Sequence, residues 1–346
     1  MKILHLLQSN RFSGAENVVC QIIGMMKNES NMEFVYCSRN GQIAEELNRR
    51  NIRFAPISDL TVKEVKKVIK EERPDIIHAH DMRASFIAAM SCGTIPIISH
   101  IHNSDFMSRK ISAKSVAYLL STLKISHIIW VSDSCLKNYV FYRKLLKKST
   151  VLYNVINSNE IKSKVQQDPN VYEHDVVFIG RLADPKNPVR LIKIIELVKQ
   201  RYEDVKVGIV GTGDLENVTR HTSHECGLDD NIVFYGFSSN PMKILNDSKV
   251  MVMTSDREGT PMVALEAMAL GVPIVSTPTD GLCEIVRQGE TGFLESDNHA
   301  FADRIIEIIS NVEIRNRLSQ NSFRRFSELN DIEKYKDVLN GCYRKK

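Results

Sequence analysis

The sequence predicts an α/β protein made of two doubly wound, parallel-sheet domains. In both halves of the chain, short β-rich runs alternate with longer helical patterns, which is typical of βαβ units. The length of 346 residues also suits two domains of about 150 residues each. A polar stretch over residues 157–172 interrupts the alternation and is the candidate linker. We therefore expect a first domain over residues 1–157 and a second over residues 173–330.

In the first half, apolar β-rich runs such as KILHLL predict strands, and apolar residues at helical spacing predict helices. The predicted strands cover residues 2–7, 33–37, 75–79, 95–100, 128–131 and 151–156. The predicted helices cover residues 15–26, 43–50, 62–71 and 84–91.

The second half repeats this pattern. Its predicted strands cover residues 175–179, 205–210, 232–235, 250–254 and 273–276, with helices over residues 188–201 and 261–270. The end of the chain, 331–346, has apolar residues at helical spacing and predicts a final helix.

Composition excludes several classes of protein. With 43% hydrophobic and 25% charged residues, the chain has an ordinary globular composition. No apolar run approaches the ~18 residues of a membrane span, and the first apolar stretch is too short for a signal peptide. The seven cysteines are scattered and contain no C-x-x-C, which disfavours a disulfide framework or a zinc ribbon. We expect a protein that starts near Met1 and works in the cytoplasm.

Parallel sheets bind ligands beyond the carboxyl ends of their strands, and two such domains are expected to form a cleft there. One candidate segment is FIGRLADPKNP, in which Gly180 ends a strand and two cations follow. Arg181 and Lys186 could neutralise a diphosphate, the first by its planar fork and the second as a point charge. The alternative is a solvated turn with ordinary basic residues.

A second candidate is the start of the helix in SDREGTPMVALEAMALG. Thr260 is predicted as the N-cap and Pro261 as the first helical residue. The free N–H groups of Met262 and Val263 would then form an anion or hydroxyl site. Glu266 follows one turn later on an apolar helix, where a carboxylate needs a partner. Two ribose hydroxyls, or a structural Arg or Lys, would supply one.

The stretch EGTPMVALEAMALGVPIVST, with Glu258 and Glu266 as its paired glutamates, resembles the signature of retaining glycosyltransferases of family 4. FIGRLADPKNP resembles the arginine–lysine segment of that family, and VGIVGTGDLE and FYGF resemble its glycine turn and base-side loop. DGLCEIV and ETGFL resemble the stretches that follow the signature. The resemblance implies the GT-B fold, with two Rossmann-like domains facing across a central cleft. It also implies a C-terminal helix, about 331–346, that crosses back to the first domain.

The resemblance also implies roles for particular residues. Arg181 and Lys186 would hold the donor diphosphate, and Glu258 would contact the transferred sugar. The implied donor-binding set comprises Glu266, Gly259, Thr260, Met262, Val263, Gly211 and Gly236. Pro261 departs from the glycine of many family members and removes one backbone N–H.

In the first half, SNRFSGAEN follows the first predicted strand. Ser13 and Glu16 fit a capping box, and Gly14 would let an acceptor or phosphate approach the backbone. The family has a glycine pair here, so Ser13 replaces its first glycine. His102, in SHIHNSD, matches a family histidine beside the transferred sugar, and Asp105 is a second acceptor-side candidate.

Two H-x-H pairs, His78 with His80 and His100 with His102, place two imidazoles each on one face of a strand. Such pairs raise a metal-site hypothesis. No acidic ligand set follows either pair, so histidines bonded to backbone are the favoured interpretation, and no metal ligand is assigned.

Charge is distributed unevenly. The net charge is +4, yet residues 104–150 contain nine Lys or Arg against two Asp, a net charge of +7. Within them, residues 136–148 predict a basic amphipathic helix, which either packs on the core or lies on anionic lipid. We expect an anionic membrane surface to contact residues 107–148, peripherally on the inner face of the membrane. No motif suggests nucleic acid.

The expected activity is transfer of a sugar from a nucleotide-diphosphate sugar to a hydroxyl of a glycan or a lipid-diphosphate-linked acceptor. The resemblance implies retention at the anomeric carbon and a role in building surface polysaccharide such as capsule. No D-x-D occurs, which predicts a reaction without a metal or another cofactor. Three alternatives stay open: a sugar-nucleotide 2-epimerase of the same fold, an H-x-H metal hydrolase, and a non-catalytic sugar-nucleotide-binding protein.

Overall fold

The computed structural model describes residues 1–27, 31–103 and 106–344. The chain divides into two compact units. The first contains Met1–Asn154 and Asp331–Lys346, and the second contains Val155–Asn330. Each unit has its own parallel sheet, as the alternating pattern predicts.

The first unit is built on a sheet with the strand order β3-β2-β1-β4-β5-β6-β7. Its strands are β1 (Lys2–Leu6), β2 (Glu33–Arg39), β3 (Arg53–Ile57), β4 (Ile76–His80), β5 (Ile97–Ile101), β6 (Ile125–Trp130) and β7 (Ser149–Val151). Its helices are α1 (Gly14–Met26), α2 (Ile43–Arg49), α3 (Val62–Glu72), α4 (Asp81–Ser91), α5 (Ala113–Ser121), α6 (Asp133–Lys137), α7 (Tyr142–Leu145) and the final α16 (Ile332–Arg344).

The two faces of the first sheet differ in chemistry. Leu4, Leu6 and Ile77 belong to an apolar core cluster that also includes residues of α3, α4 and α5. Because side chains alternate along a strand, His5 and His78 lie on the opposite face. The α16 helix contributes to the first unit, as the resemblance implies, and its Tyr343 hydroxyl lies 2.9 Å from Nδ1 of His78.

The second unit has the strand order β10-β9-β8-β11-β12-β13. Its strands are β8 (Val176–Ile179), β9 (Val207–Val210), β10 (Ile232–Gly236), β11 (Val250–Met253), β12 (Ile274–Ser276) and β13 (Gly292–Leu294). Its helices are α8 (Ser158–Gln167), α9 (Pro188–Lys199), α10 (Glu216–Glu225), α11 (Met242–Asn246), α12 (Met262–Ala269), α13 (Asp280–Ile285), α14 (Asn298–Ser310) and α15 (Val312–Leu329). Its core packs residues of β8, β9 and β11 against α9 and α14.

Both sheets reverse their winding direction at the centre. In the first unit the reversal falls between β1 and β4, and in the second between β8 and β11. In open α/β sheets, ligands bind at this topological switch point beyond the carboxyl ends of the strands. The loops after these four strands therefore define where each unit can hold a ligand.

The polar stretch 157–172 is not a structureless linker. Asn157 caps α8 by accepting hydrogen bonds from the N–H groups of Asn159 and Glu160. Ile161 is buried, and α8 contacts α11 and α12 within the second unit. One buried apolar residue in a helix of ten is too weak a pattern to indicate this helix from sequence.

The predicted basic helix over residues 136–148 is also wrong. The chain there forms the end of α6, the short α7 and a single 3₁₀ turn over Leu146–Lys148. Tyr139 and Leu145 are buried in the core. These apolar residues thus serve packing, and the alternative in which they face the core is the correct one.

Three smaller observations complete the description of the fold. The last strand of the first unit spans Ser149–Val151 and lies earlier than predicted, and strands β3 and β13 were not predicted. All seven cysteines are free; five are buried, Cys226 is half-buried and Cys283 is exposed. None of the described helices is long and apolar enough to cross a bilayer.

Candidate functional site

Three glycines meet at the carboxyl ends of β8, β9 and β10. The N–H of Gly211 donates to the carbonyl of Gly236 at 2.7 Å, and the N–H of Gly180 donates to Val210 at 3.0 Å. Gly211 has φ +137°, and a Cβ there would lie 1.9 Å from the Gly180 carbonyl oxygen. Only glycine fits this position, so the G-x-G motif marks a close backbone approach. The surface at these strand ends is therefore backbone rather than side chain.

Arg181 follows this glycine surface directly. Its side chain is exposed, and among the described residues it makes no hydrogen bond or ion pair. A guanidinium without a protein partner can bind an incoming anion without first breaking an ion pair. Arg181 is thus an available cation at the topological switch point of the second sheet.

Lys186 has a carboxylate partner. Its Nζ donates to Oε1 of Glu258 at 2.5 Å, and the Ser255 hydroxyl donates to the same oxygen at 2.6 Å. The side chains of Lys186 and Glu258 are 20% and 9% exposed, so the pair is largely shielded from water. The predicted diphosphate-binding lysine and the predicted sugar-binding glutamate therefore lie together, although they are far apart in sequence.

Backbone contacts fix the loop after β8 against the loop after β11. The N–H of Asp256 donates to the carbonyl of Pro185 at 2.8 Å. The Thr254 hydroxyl lies 3.0 Å from the carbonyl oxygens of both Lys186 and Asn187. Ser255, Asp256 and Thr254 were not assigned to the site from sequence, because only the fold brings the two loops together.

The start of α12 lies one residue later than predicted. Pro261 is the N-cap, with extended backbone, and Met262 is the first helical residue. Ala264 and Leu265 donate to the Pro261 carbonyl, so the N–H groups of Met262 and Val263 precede the first intrahelical bonds. Thr260 is buried and does not cap the helix. The expected pair of helix-start amides is present despite the shift.

Glu266 and Gly259 are both buried. Glu266 is 9% exposed on a helix whose other described residues are mostly buried and apolar. A Cβ at Gly281 would lie 1.1 Å from the carbonyl oxygen of Gly259, so the start of α13 packs directly on this loop. The loop of Glu258 and Gly259 is therefore fixed from two sides.

At the switch point of the first unit, Ser13 is the N-cap of α1, as predicted. The capping box is not formed, because the Ser13 hydroxyl donates to Oε2 of Glu16 at 2.5 Å instead of accepting from the backbone. A Cβ on Gly14 would meet no heavy atom of the described chain within 4 Å. Open space therefore lies above this helix start.

The H-x-H pairs belong to a larger cluster of five buried histidines on three adjacent strands. His5 of β1 is in register with His78 of β4, and His80 of β4 is in register with His100 of β5. Neighbouring imidazole rings lie 4.4–5.5 Å apart between centroids. In the sequence, His5 is only one residue of the predicted strand KILHLL. The strand register is what places it beside the other four histidines.

A chain of hydrogen bonds links three of these rings. Nδ1 of His5 lies 2.9 Å from Nε2 of His80, and Nδ1 of His80 lies 2.9 Å from Nε2 of His102. His102, at the end of β5, is therefore oriented by two buried histidines. Its backbone N–H donates to Oδ1 of Asp81 at 2.9 Å.

Asp81 contacts the histidine cluster and was not singled out from sequence. It has φ +67°, which is unusual for a residue with a side chain, and it begins α4 directly after His80. Such backbone strain clusters at functional positions. Asp105, the other predicted acceptor-side residue, lies outside the described residues.

Two sets of three histidines have ligand atoms within 4.8 Å of one another: His5, His78 and His80, and His80, His100 and His102. Both nitrogens of His80 are already used in hydrogen bonds to other rings. Neither set includes a carboxylate to balance a divalent cation in this buried environment. The ring nitrogens bond to other rings and to Tyr343 instead of to backbone as expected, and both nitrogens of His100 are buried without a partner among the described residues. The arrangement fits a stack of neutral imidazoles, partly joined by hydrogen bonds, better than a metal centre.

Burial determines the charge of the cluster. It lowers the pKa of both His5 and His102 to about 3, because the charged imidazolium loses its hydration. The pKa of His78, His80 and His100 is lowered well below 6.5 by burial first, and by the neighbouring histidines second.

We predict that the protein loses stability as pH falls below about 6.5. Between that value and the lowered folded-state pKa, the unfolded chain binds protons that the folded protein excludes. Each such histidine contributes up to about 1.4 kcal/mol per pH unit to the free energy of unfolding. Urea unfolding at pH 5 to 8 measures this slope above the range in which most carboxylates titrate. A stability independent of pH across this range would contradict the prediction.

Two doubly wound sheets, with a cation and a helix start at the switch point of the second, are the features of an α/β protein of the GT-B fold. Comparisons identify its family. Residues 159–325 match Glycosyl transferases group 1, and residues 12–160 match Glycosyltransferase Family 4. The chain therefore belongs to the glycosyltransferases of family 4.

Individual relatives agree with this assignment. EpsD of Bacillus subtilis is 32% identical over 47% of this chain, and the match covers 44% of EpsD. The Escherichia coli UDP-Gal:alpha-D-GlcNAc-diphosphoundecaprenol alpha-1,3-galactosyltransferase is 24% identical, over 98% of this chain and 96% of its own. The crystal structure of Anabaena HepE with UDP and glucose superposes with a TM-score of 0.85 at 21% identity, over the whole of both chains.

Proposed function

We propose that this protein transfers a sugar from a nucleotide-diphosphate sugar to a hydroxyl of a glycan or lipid-linked acceptor, with retention at the anomeric carbon. The observation that carries the proposal is the arrangement at the switch point of the second sheet. There, the exposed Arg181 and the Lys186–Glu258 pair adjoin a side-chain-free glycine surface. This combination suits a ligand with two phosphates and a sugar.

In the proposed donor complex, Arg181 and Lys186 bind the diphosphate and Glu266 binds the ribose hydroxyls. The N–H groups of Met262 and Val263 add the positive end of the α12 dipole. When the diphosphate attracts Lys186, Glu258 is released to accept a hydrogen bond from the transferred sugar. Gly236, where a Cβ would meet no heavy atom of the described residues within 4 Å, lets the nucleotide approach the backbone, and Gly211 lets the strand ends beside it pack closely. HepE structures containing UDP and UDP-glucose support a nucleotide donor for this fold.

In the proposed reaction, the bond between the anomeric carbon and the diphosphate oxygen breaks while the acceptor oxygen bonds to the same face of that carbon. The acceptor proton passes to the departing diphosphate. The barrier lies in the charge that develops on the leaving group, so Arg181 and Lys186, once they contact the diphosphate, stabilise the transition state more than the ground state. We propose that these cations replace a metal, and that no cofactor takes part.

On the acceptor side, we assign His102 to a hydroxyl of the sugar or acceptor, with Ser13 and Gly14 at the opening above α1. The Escherichia coli relative acts on a diphosphoundecaprenol-linked acceptor, as its name states. CapM of Staphylococcus aureus is named for capsular polysaccharide biosynthesis. We therefore propose a cytoplasmic reaction at the inner face of the membrane that builds a surface polysaccharide.

The test combines a panel of nucleotide sugars with lipid-diphosphate-linked acceptors, with and without EDTA. We expect nucleotide release that requires acceptor and survives chelation. Release of an isomerised nucleotide sugar without acceptor would instead indicate the 2-epimerase. Activity abolished by EDTA would overturn metal independence, and donor binding with no turnover would overturn the enzymatic proposal. NMR of the product's anomeric proton tests retention.

A further inference from the structure

Helix α5 of the first unit presents apolar side chains to solvent. Val116 and Leu120, which are one turn apart on α5, are 37% and 61% exposed. Leu123, in the turn that follows the helix, is 83% exposed. The opposite side of α5 faces the core through Tyr118 and Leu119, next to the buried Ser115. A surface helix normally presents polar residues to solvent, so exposed Val116 and Leu120 are unusual on its outer side.

The exposed apolar surface continues beyond both ends of α5. Before the helix, the Ser112 hydroxyl donates to the Met107 carbonyl at 2.7 Å and the Ser115 hydroxyl donates to the Lys110 carbonyl at 2.8 Å, which fixes this loop to the helix. After it, the ammonium of Lys148 donates to the carbonyls of Thr122 and Ile125. The resulting apolar strip consists of Phe106, Met107, Ile111, Val116, Leu120, Leu123 and Leu146, which are 37–83% exposed.

Cations accompany the apolar strip. Residues 106–124 include four basic residues and no acidic residue. They are Arg109, Lys110, Lys114 and Lys124, all exposed. The ammonium of Lys110 lies 4.2 Å from the centroid of the Phe106 ring. Exposed bulky apolar groups interleaved with lysines match the boundary of an anionic bilayer, where the apolar groups enter the acyl region and the lysines meet lipid phosphates.

We propose that the apolar strip docks this protein on an anionic phospholipid surface, with α5 lying in the plane of the interface. A second copy of the chain fits the strip less well, because a symmetric contact would bring two positively charged faces together. The proposal moves most of the expected membrane contact from a helix over residues 136–148 to α5 and the loops on either side of it, and keeps only Leu146 of the earlier segment. It rests on the proposed function in one respect: a lipid-linked acceptor lies in the membrane, so docking would bring the enzyme to its acceptor.

The test is sedimentation of the full chain with vesicles of phosphatidylcholine alone or with about 30% phosphatidylglycerol, which supplies anionic headgroups. We expect binding to the anionic vesicles only, weakened by salt. Leu120→Ser with Leu123→Ser, and Lys114→Gln with Lys124→Gln, should each weaken binding about tenfold or more. Val171→Ser with Val233→Ser, and Lys66→Gln with Lys67→Gln, are matched exposed controls that should bind normally.

Several outcomes would overturn the proposal. They are equal binding of the α5 variants and the wild type, no binding to anionic vesicles, or a concentration-dependent dimer that the Leu120/Leu123 variant abolishes. Sugar transfer to a short-chain, water-soluble acceptor is measured in parallel and should be unchanged in all variants. Loss of vesicle binding with intact transfer would thus concern only the membrane inference, whereas absent transfer would concern the proposed function.

Discussion

Replacing Arg181 by Met is expected to lower the turnover number for sugar transfer by about 100- to 1000-fold, the range found when one charge-stabilising donor is removed from an active site. The guanidinium would act on the diphosphate as its negative charge develops, so the loss should fall mainly on kcat. Because Arg181 is exposed and has no partner among the described residues, its removal should not change the free energy of unfolding.

Steady-state kinetics and urea unfolding of the same preparations test this expectation. Lys162→Met, at an exposed lysine on α8, is the matched control and should behave as wild type in both measurements. Full activity in the Arg181 variant would contradict the assignment. A parallel loss of stability would show that Arg181 has a structural role instead.

The second large effect is expected at Glu266. Glu266→Ala should reduce the rate of sugar transfer at least ~100-fold, because the two ribose hydroxyls would lose their hydrogen bonds to the carboxylate. Since Glu266 is buried, Glu266→Gln keeps the shape of the side chain and separates packing from charge. Glu203→Ala, at an exposed glutamate, is the matched control.

Nucleotides that lack one ribose hydroxyl test directly whether Glu266 binds the ribose. Wild-type protein should bind a nucleoside diphosphate more tightly than its 2′-deoxy or 3′-deoxy form, and the Glu266→Ala variant should lose most of this preference. Competition against the donor sugar nucleotide measures both affinities. An undiminished preference in the variant would show that another group reads the ribose.

The fold was largely predictable because buried parallel strands appear as continuous apolar runs. The strands that were missed have weaker signals: β3 contains Pro56, and β13 has only three residues. Residues 136–148 misled because alternating basic and bulky residues describe both a lipid-facing helix and a folded segment with a buried side. Only the tertiary contacts of Tyr139 and Leu145 distinguish the two.

Parts of the site that lie within one motif were predictable from sequence. Parts that combine residues from two or more strands or loops were less so. The helix start after Pro261 was indicated by local signals and shifted by only one residue. The Lys186–Glu258 contact joins loops 72 residues apart, and the five-histidine cluster joins three strands. Neither follows from spacing, because each depends on strand order. Asp81 gave no local sign of its positive φ.

The central claim is that the second unit binds a pyrophosphate through Arg181, Lys186 and the start of α12. Titration calorimetry in EDTA, comparing a nucleoside diphosphate with its monophosphate and nucleoside, tests it most directly. We predict that the diphosphate binds at least about 100-fold more tightly than the nucleoside, and that Arg181→Met with Lys186→Met removes most of this difference. Equal affinities for the three ligands, or binding that appears only when a divalent metal is added, would contradict the claim.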